Sequence, residues 1–303
     1  MADGTTGLVL ELVPRGAFDL QQSIDFGFGP REPSAEPGVM RLAFVLDGYS
    51  QHVGVAVRQE VDGRLRLEVS GGATPAGASV DAGAVCRQTA RVLSVDIDST
   101  DWDALGQRDA LIGRLQAARP GLRPPLFYSA YEALAWAVLS ARRPRAQMAA
   151  VQARLGTEHG AQVAVAGEVL PVFPTPEQLL ALDSFPGLPA VKIDRLHGVA
   201  RAALDGQLDT AALHKLDPAD AQQRLQRLDG IGPFYSELVT VRTLGHTDVL
   251  PRAEHHSLEI AGRLLADGAA LDRASFERHA EQWRPWRTWA AVALRAAGPL
   301  VLG

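Results

Sequence analysis

The chain is short of cysteine, of lysine and of any long apolar run, and each shortage excludes something. A single cysteine, Cys86, in 303 residues leaves no partner for an internal disulfide. It also rules out a four-cysteine iron–sulfur cluster and a cysteine-rich zinc site. No window approaches the ~18 consecutive apolar residues that a membrane span needs, so no membrane role is expected. The first sixteen residues carry no basic segment ahead of an apolar core, unlike a secretory signal. The expected location is therefore the cytoplasm. Lysine occurs only at Lys192 and Lys215, and every other basic residue is arginine. With 30 basic against 35 acidic residues the net charge is −5, so no global surplus advertises a nucleic-acid binder. What is present is ordinary for a soluble globular protein: 47% hydrophobic and 21% charged residues. Charge is nonetheless uneven. Between Arg108 and Arg154 lie eight arginines and only two acids, Asp109 and Glu132, a local excess that either faces phosphate or forms a solvated surface.

The pattern changes along the chain. Arg64 to Val69 alternates polar and apolar residues with period two, as a half-buried strand does. Leu42–Leu46 and Val53–Val57 are short apolar runs that suit neighbouring antiparallel strands. The stretches 27–38 and 71–77 are too rich in glycine and proline for regular structure. From about Asp81 the spacing is helical: Val85, Thr89, Val92 and Leu93 share one face, as do Tyr131, Leu134, Ala135, Val138 and Leu139. Recurrent prolines cut this part into short helices. The fold class predicted is α+β: an amino-terminal antiparallel sheet domain over 1–105, with one or two helices, followed by an all-helical bundle over 106–303.

The segment Leu225–Leu238 is the most informative. A helix from about Ala219 to Arg227 runs into Gly230-Ile231-Gly232, and a second helix starts at Pro233. Two glycines at this spacing permit a tight turn with positive φ and bare the backbone amides. The next helix adds the unpaired N–H groups and positive dipole end of its amino terminus. Such a nest binds phosphate without lysine, and Ile231 would plug the gap between the helices. A plain helical corner accounts for the same residues.

Leu228-Asp229-Gly230-Ile231-Gly232-Pro233-Phe234, followed by Asp248-Val249-Leu250-Pro251, resembles the helix-hairpin-helix DNA glycosylase superfamily. Its branch of 3-methyladenine DNA glycosylase II (AlkA-like) is the most similar. Gly113–Arg123, Phe173–Leu179, Gly187–Pro189 through Ala203–Gly206, and Gln282–Arg287 match further segments in order. The likeness covers roughly Gly113 to Gly298, with the hairpin motif at about 219–245.

The resemblance implies a monofunctional glycosylase of base excision repair. Such an enzyme flips an alkylated or otherwise damaged purine, of the 3-methyladenine type, out of double-stranded DNA and hydrolyses its N-glycosidic bond. It implies few working groups: backbone contacts from Gly230, Ile231 and Gly232, and a carboxylate at the sugar. Where the family carries its catalytic aspartate, this chain has Glu254, within Arg252-Ala253-Glu254-His255-His256. Bifunctional relatives place a lysine where Phe234 stands, so a lyase step is not expected. The family's pocket positions fall at Phe234, Leu238 and Arg295, with Trp286 at the border, and its wedge falls at Arg142. No cofactor is required. A structural monovalent cation, sodium or potassium, would be held by the carbonyls of Gln226, Leu228 and Ile231. The protein would act as a monomer near the nucleoid. The exchange of aspartate for Glu254 keeps a second reading open, a catalytically weakened or inactive damage-sensing DNA-binding protein on the same scaffold. His255 and His256 are a proton shuttle in one reading and a metal pair with Glu254 in another, which adjacent histidines pointing in different directions on a helix disfavour.

Overall fold

The computed structural model describes residues 8–27, 36–71, 80–252, 256–265 and 271–302. Four strands, β1 (Leu8–Leu12), β2 (Val39–Val45), β3 (His52–Gln59) and β4 (Leu65–Gly71), form an antiparallel sheet in the order β1-β4-β3-β2. The expected runs fall on β2, β3 and β4, except that Leu46 lies beyond β2 and Arg64 precedes β4. Two helices flank the strands in sequence, α1 (Leu20–Phe26) and α2 (Ala82–Val92). Leu42, Phe44, Val53, Val55, Val57, Leu65 and Leu67 face Val85, Val92 and Leu93 in one core. The expected loops at 27–38 and 71–77 fall mostly outside the described residues.

Next come α3 (Thr100–Arg108), α4 (Ala110–Ala118), α5 (Ala130–Ser140) and α6 (Arg145–His159). A two-stranded hairpin follows, β5 (Ala161–Val165) and β6 (Glu168–Val172). The chain continues with α7 (Pro176–Leu180), α8 (Ala190–Leu204), α9 (Thr210–His214), α10 (Pro218–Leu225) and α11 (Pro233–Arg242). It ends with α12 (His256–Leu265), α13 (Arg273–Ala280) and α14 (Arg287–Leu302). Pro176, Pro218 and Pro233 each open a helix, where the missing N–H costs nothing.

The expected all-helical second part needs correction, because β5 and β6 interrupt it. Ala166 (φ 44°) and Gly167 (φ 83°) make the two-residue turn with positive φ that matches strand twist. The hairpin packs on the first sheet, and Gly54 of β3 permits this. A Cβ there would lie 2.5 Å from Val165 Cγ2. The Arg41 side chain in β2 donates to the carbonyls of Val165 (3.3 Å) and Ala166 (3.0 Å). The expected boundary between residues 105 and 106 falls inside α3. That helix and α4 share a core with α12 to α14, in which Trp102, Trp283, Trp286 and Trp289 are buried. A third core, built mainly from α5, α6 and α8, also takes Val39, Val45 and Ala56 from the sheet and Tyr49 from the turn between β2 and β3.

Candidate functional site

The turn between α10 and α11 is held at both ends. Gln226 Nε2 donates to Ser236 Oγ at 2.9 Å, and Ser236 Oγ donates to the Pro233 carbonyl at 3.0 Å. Ile231 is 3% exposed and joins the core with Leu225 and Val239. The two glycines are not equivalent. Gly230 has φ +82°, and a Cβ there would meet the Arg195 side chain at 2.7 Å. Gly232 is extended (φ −94°, ψ −175°), and a Cβ would meet open space. Only the first needs glycine's conformational freedom. The start of α11 has Gly232 as its cap residue with no side-chain capping bond, so its first-turn amides lack that internal acceptor.

Across from this turn lies the end of α5. Arg142 has φ 58° and stands exposed beside Arg143. Between the two turns runs an open groove of about 1020 Å³, lined by Arg142, Arg143, Arg195 and Arg227 together with residues 226–232. The arginine excess of the sequence therefore divides. Arg142 and Arg143 reach this groove, whereas Arg123 is fully buried and donates to the carbonyls of Ala17, Ser94, Ile97 and Arg15.

A separate cleft of about 500 Å³ opens between α11 and α14. Phe234, Leu238 and Arg295 line it, three of the four residues expected of a pocket. Phe234 is 49% exposed, unusual for a phenylalanine with no further role in packing. Trp286 is the correction. It does not line the cleft but lies buried in the core, 6.3 Å from the ring of Trp102 and 4.9 Å from that of Trp289. Trp283 ends a short 3-10 turn, Trp286 precedes α14 and Trp289 lies in its first turn, so the three indoles meet in one core without sharing a helical face. Sequence reasoning missed Phe26, Phe127 and Trp136, which also line the cleft, because they come from segments far apart in the chain. Nothing local marks them.

It also missed Glu237. This carboxylate is 8% exposed on the cleft wall, and its Oε1 accepts the Arg252 amide at 2.7 Å. Positive groups surround the same cleft. Arg119 pairs with Asp25 at 3.7 Å, and Arg242 donates to the Pro125 carbonyl at 2.7 Å with its guanidinium 5.2 Å from the Phe26 ring centre.

Two sequence segments meet to build the strap beside this cleft. The Asp248 carboxylate accepts from Arg284 (2.6 Å) and Arg287 (2.6 Å), and the Val249 amide donates to Thr288 Oγ1 at 2.9 Å. Asp248–Pro251 is thereby pinned to the start of α14. The chain lines the cleft at Pro251 and again at Ser257. Glu254 and His255 lie outside the described residues. His256 is exposed, with Nδ1 3.6 Å from Glu259 Oε2.

A cation at the first turn would meet neutral carbonyls, a donor set suited to a monovalent ion and not to a divalent one that wants carboxylates. The Leu228 carbonyl accepts the Ile231 amide at 3.1 Å, which leaves one of its two lone pairs. Among the described residues no cluster of histidine, cysteine and carboxylates could hold a metal. No helix among them is long and apolar enough to cross a membrane.

No protein-family model matches the chain. It is 32% identical over 189 residues to DNA-3-methyladenine glycosylase 2 of Escherichia coli (strain K12), an alignment covering 60% of this chain and 62% of that protein. The chain thus spans less than two thirds of that relative's length. Its fold is that of a 3-methyladenine DNA glycosylase from Archaeoglobus fulgidus, with TM-score 0.76 and 21% identity over 96% of this chain and 98% of that one. A Clostridium acetobutylicum 8-oxoguanine glycosylase/lyase, in complex with double-stranded DNA containing cytosine opposite 8-oxoguanine, gives TM-score 0.62 at 12% identity, covering 96% of each chain.

Proposed function

We propose that the chain belongs to the helix-hairpin-helix DNA glycosylase superfamily, on its AlkA-like branch, and that it is a monofunctional DNA glycosylase. It removes alkylated or otherwise damaged purines from double-stranded DNA by hydrolysis. The observation that carries this reading is the cleft between α11 and α14, lined by Phe234, Leu238 and Arg295 and also by Pro251 and Ser257, the residues between which Glu254 falls in sequence. A flipped purine stacks on the exposed Phe234 ring there. An alkylated purine is already cationic and leaves readily, so the protein's main task is electrostatic. The C1′–N bond breaks, the electron pair leaves with the base, and the Glu254 carboxylate stabilises the oxocarbenium-like sugar until water adds. No lysine stands at Phe234, so no Schiff base forms with the sugar.

Duplex DNA docks as the partner of a monomer. The amides of Gly230 and Gly232 and the uncapped start of α11 bind one phosphate, and the carbonyls of Gln226, Leu228 and Ile231 would hold a sodium or potassium ion, which would supply positive charge at the turn. Arg142 fills the space left by the flipped base. The Clostridium acetobutylicum neighbour, solved on duplex DNA, supports a duplex as the partner.

The test is release of 3-methyladenine or 7-methylguanine from methylated DNA. Glu254→Gln keeps the volume and removes the charge, so it should abolish nearly all release while duplex binding survives. Glu254→Asp shortens the reach, and a misplacement of about 1 Å should cost ~100-fold. Full release by Glu254→Gln would remove Glu254 from the mechanism. Tight binding to abasic duplex with no release across a lesion panel would favour the damage-sensing reading.

A further inference from the structure

Of the chain's two lysines, Lys192 on α8 is buried, only 8% exposed. Its Nζ donates to the carbonyl oxygens of Val138 (2.8 Å), Leu139 and Ala141 (3.2 Å). These carbonyls belong to the last turn of α5 and its cap, groups that a helix end leaves without intrahelical partners. The next residue, Arg142, holds a left-handed conformation with φ 58°, which residues other than glycine seldom adopt. Something must hold it there.

The chemistry of the donor explains why this position departs from the chain's habit of using arginine. An ammonium is compact and tetrahedral, with three N–H groups that can each serve one of three converging carbonyls. A guanidinium is planar and spreads its donors in a fixed fork. A positive charge at a helix carboxyl end also meets the negative end of the dipole. The same lysine lines the 1020 Å³ groove, between Arg142 and Arg143 on one side and residues 226–232 on the other. Ser140 Oγ, at the end of α5, comes within 3.5 Å of Tyr235 Oη on α11. The end of α5 is thus tied to both walls of the groove.

We propose that Lys192 is the positioning residue for the wedge. Its ammonium fixes the turn at Ala141–Arg142 so that Arg142 enters the duplex opposite the hairpin. The proposal rests on the wedge and hairpin reading given above. It assigns Lys192 no contact with the reacting atoms.

A double-mutant cycle tests it with the full chain and a duplex in which 2-aminopurine neighbours an abasic-site analogue. Fluorescence reports unstacking by the wedge, and anisotropy of an end-labelled duplex reports binding. Lys192→Arg keeps the charge and loses the tripod geometry. Lys192→Met loses both, and if it fails to fold, Lys192→Arg carries the test alone. Each is made with and without Arg142→Ala. The expected result is a loss of unstacking of about tenfold for Lys192→Arg and for Arg142→Ala, with no further loss when they are combined. For Lys192→Arg alone, duplex binding should stay within about threefold of the parent, since both the hairpin and the Arg142 side chain are retained. Parental unstacking in Lys192→Arg, or losses that multiply in the double variant, would overturn the proposal and leave Lys192 an ordinary helix cap. A parent that binds the duplex but gives no unstacking signal would overturn the wedge reading, and the proposal with it.

Discussion

A carboxylate on the wall of a cleft that also carries Arg295 and Arg242 has more than one job open to it, and Glu237 already has one. It accepts the Arg252 amide at 2.7 Å, a charge-assisted bond of about 1.5–3 kcal/mol. That bond ties α11 to the start of the segment leading to Glu254. Glu237→Gln keeps an acceptor there, so base release should fall by about tenfold at most. Glu237→Leu leaves the amide without its acceptor and frees the segment, and release should fall ~100-fold on the positioning estimate. Single-turnover release, measured beside duplex binding, separates the two. Leucine matching glutamine would mean the carboxylate merely lines the wall. A lone acid in Ser236-Glu237-Leu238 reads as a solvated helix position, and only the folded cleft wall makes it a buried one. Phe234 was legible for the opposite reason, because its place is counted from the adjacent glycines.

Among elements, the turn between α10 and α11 was readable because proline, glycine and apolar spacing are local signals. Its internal asymmetry was not, since Gly-Ile-Gly does not say which glycine takes positive φ. Gly230 does, and Gly232 does not. Gly230→Ala should therefore lower stability by about 1–2 kcal/mol and disturb the turn that presents the amides. Gly232→Ala should unfold within about 0.5 kcal/mol of the parent, yet weaken duplex binding, because its methyl group would project from the face a phosphate must approach. Urea unfolding and duplex binding at matched salt check both. Unchanged binding in Gly232→Ala would move the phosphate contact away from this turn. The β5–β6 hairpin shows the complementary failure. Val163, Val165 and Val169 carry strand alternation, but Ala166-Gly167 is a weak turn signal inside a region that otherwise reads as helical. What makes the hairpin stable is Gly54 of β3, more than a hundred residues earlier, which lets the two sheets close.

For the whole molecule, the core that mixes Val39, Val45 and Ala56 of the sheet and Tyr49 of its β2–β3 turn with α5 and α8 implies that sheet and helices unfold together. Two histidines report on this from either side. His52 opens β3 and is 6% exposed, and burial pushes its imidazole below the ordinary value despite an opposing backbone hydrogen bond at Phe173. His246, beyond α11, is pushed the same way by burial and then by His214, whose ring stacks on it at 4.8 Å. The Nε2 atoms of both are buried without a hydrogen-bond partner among the described residues. Above the unfolded value of about 6.5 neither state binds the proton, and these groups add no pH dependence. As pH falls below that value, the unfolded chain takes up protons that the folded chain refuses, so stability declines until the lower folded pKa is passed. The slope is at most about 1.4 kcal/mol per pH unit for each histidine. Urea unfolding at pH 7.5, 6.5 and 5.5 should give one transition whose midpoint drops with pH. His52→Leu and His246→Leu should each flatten the drop in that same transition. If each substitution flattens a different transition, the sheet and the helical part unfold separately, and the mixed core does not couple them.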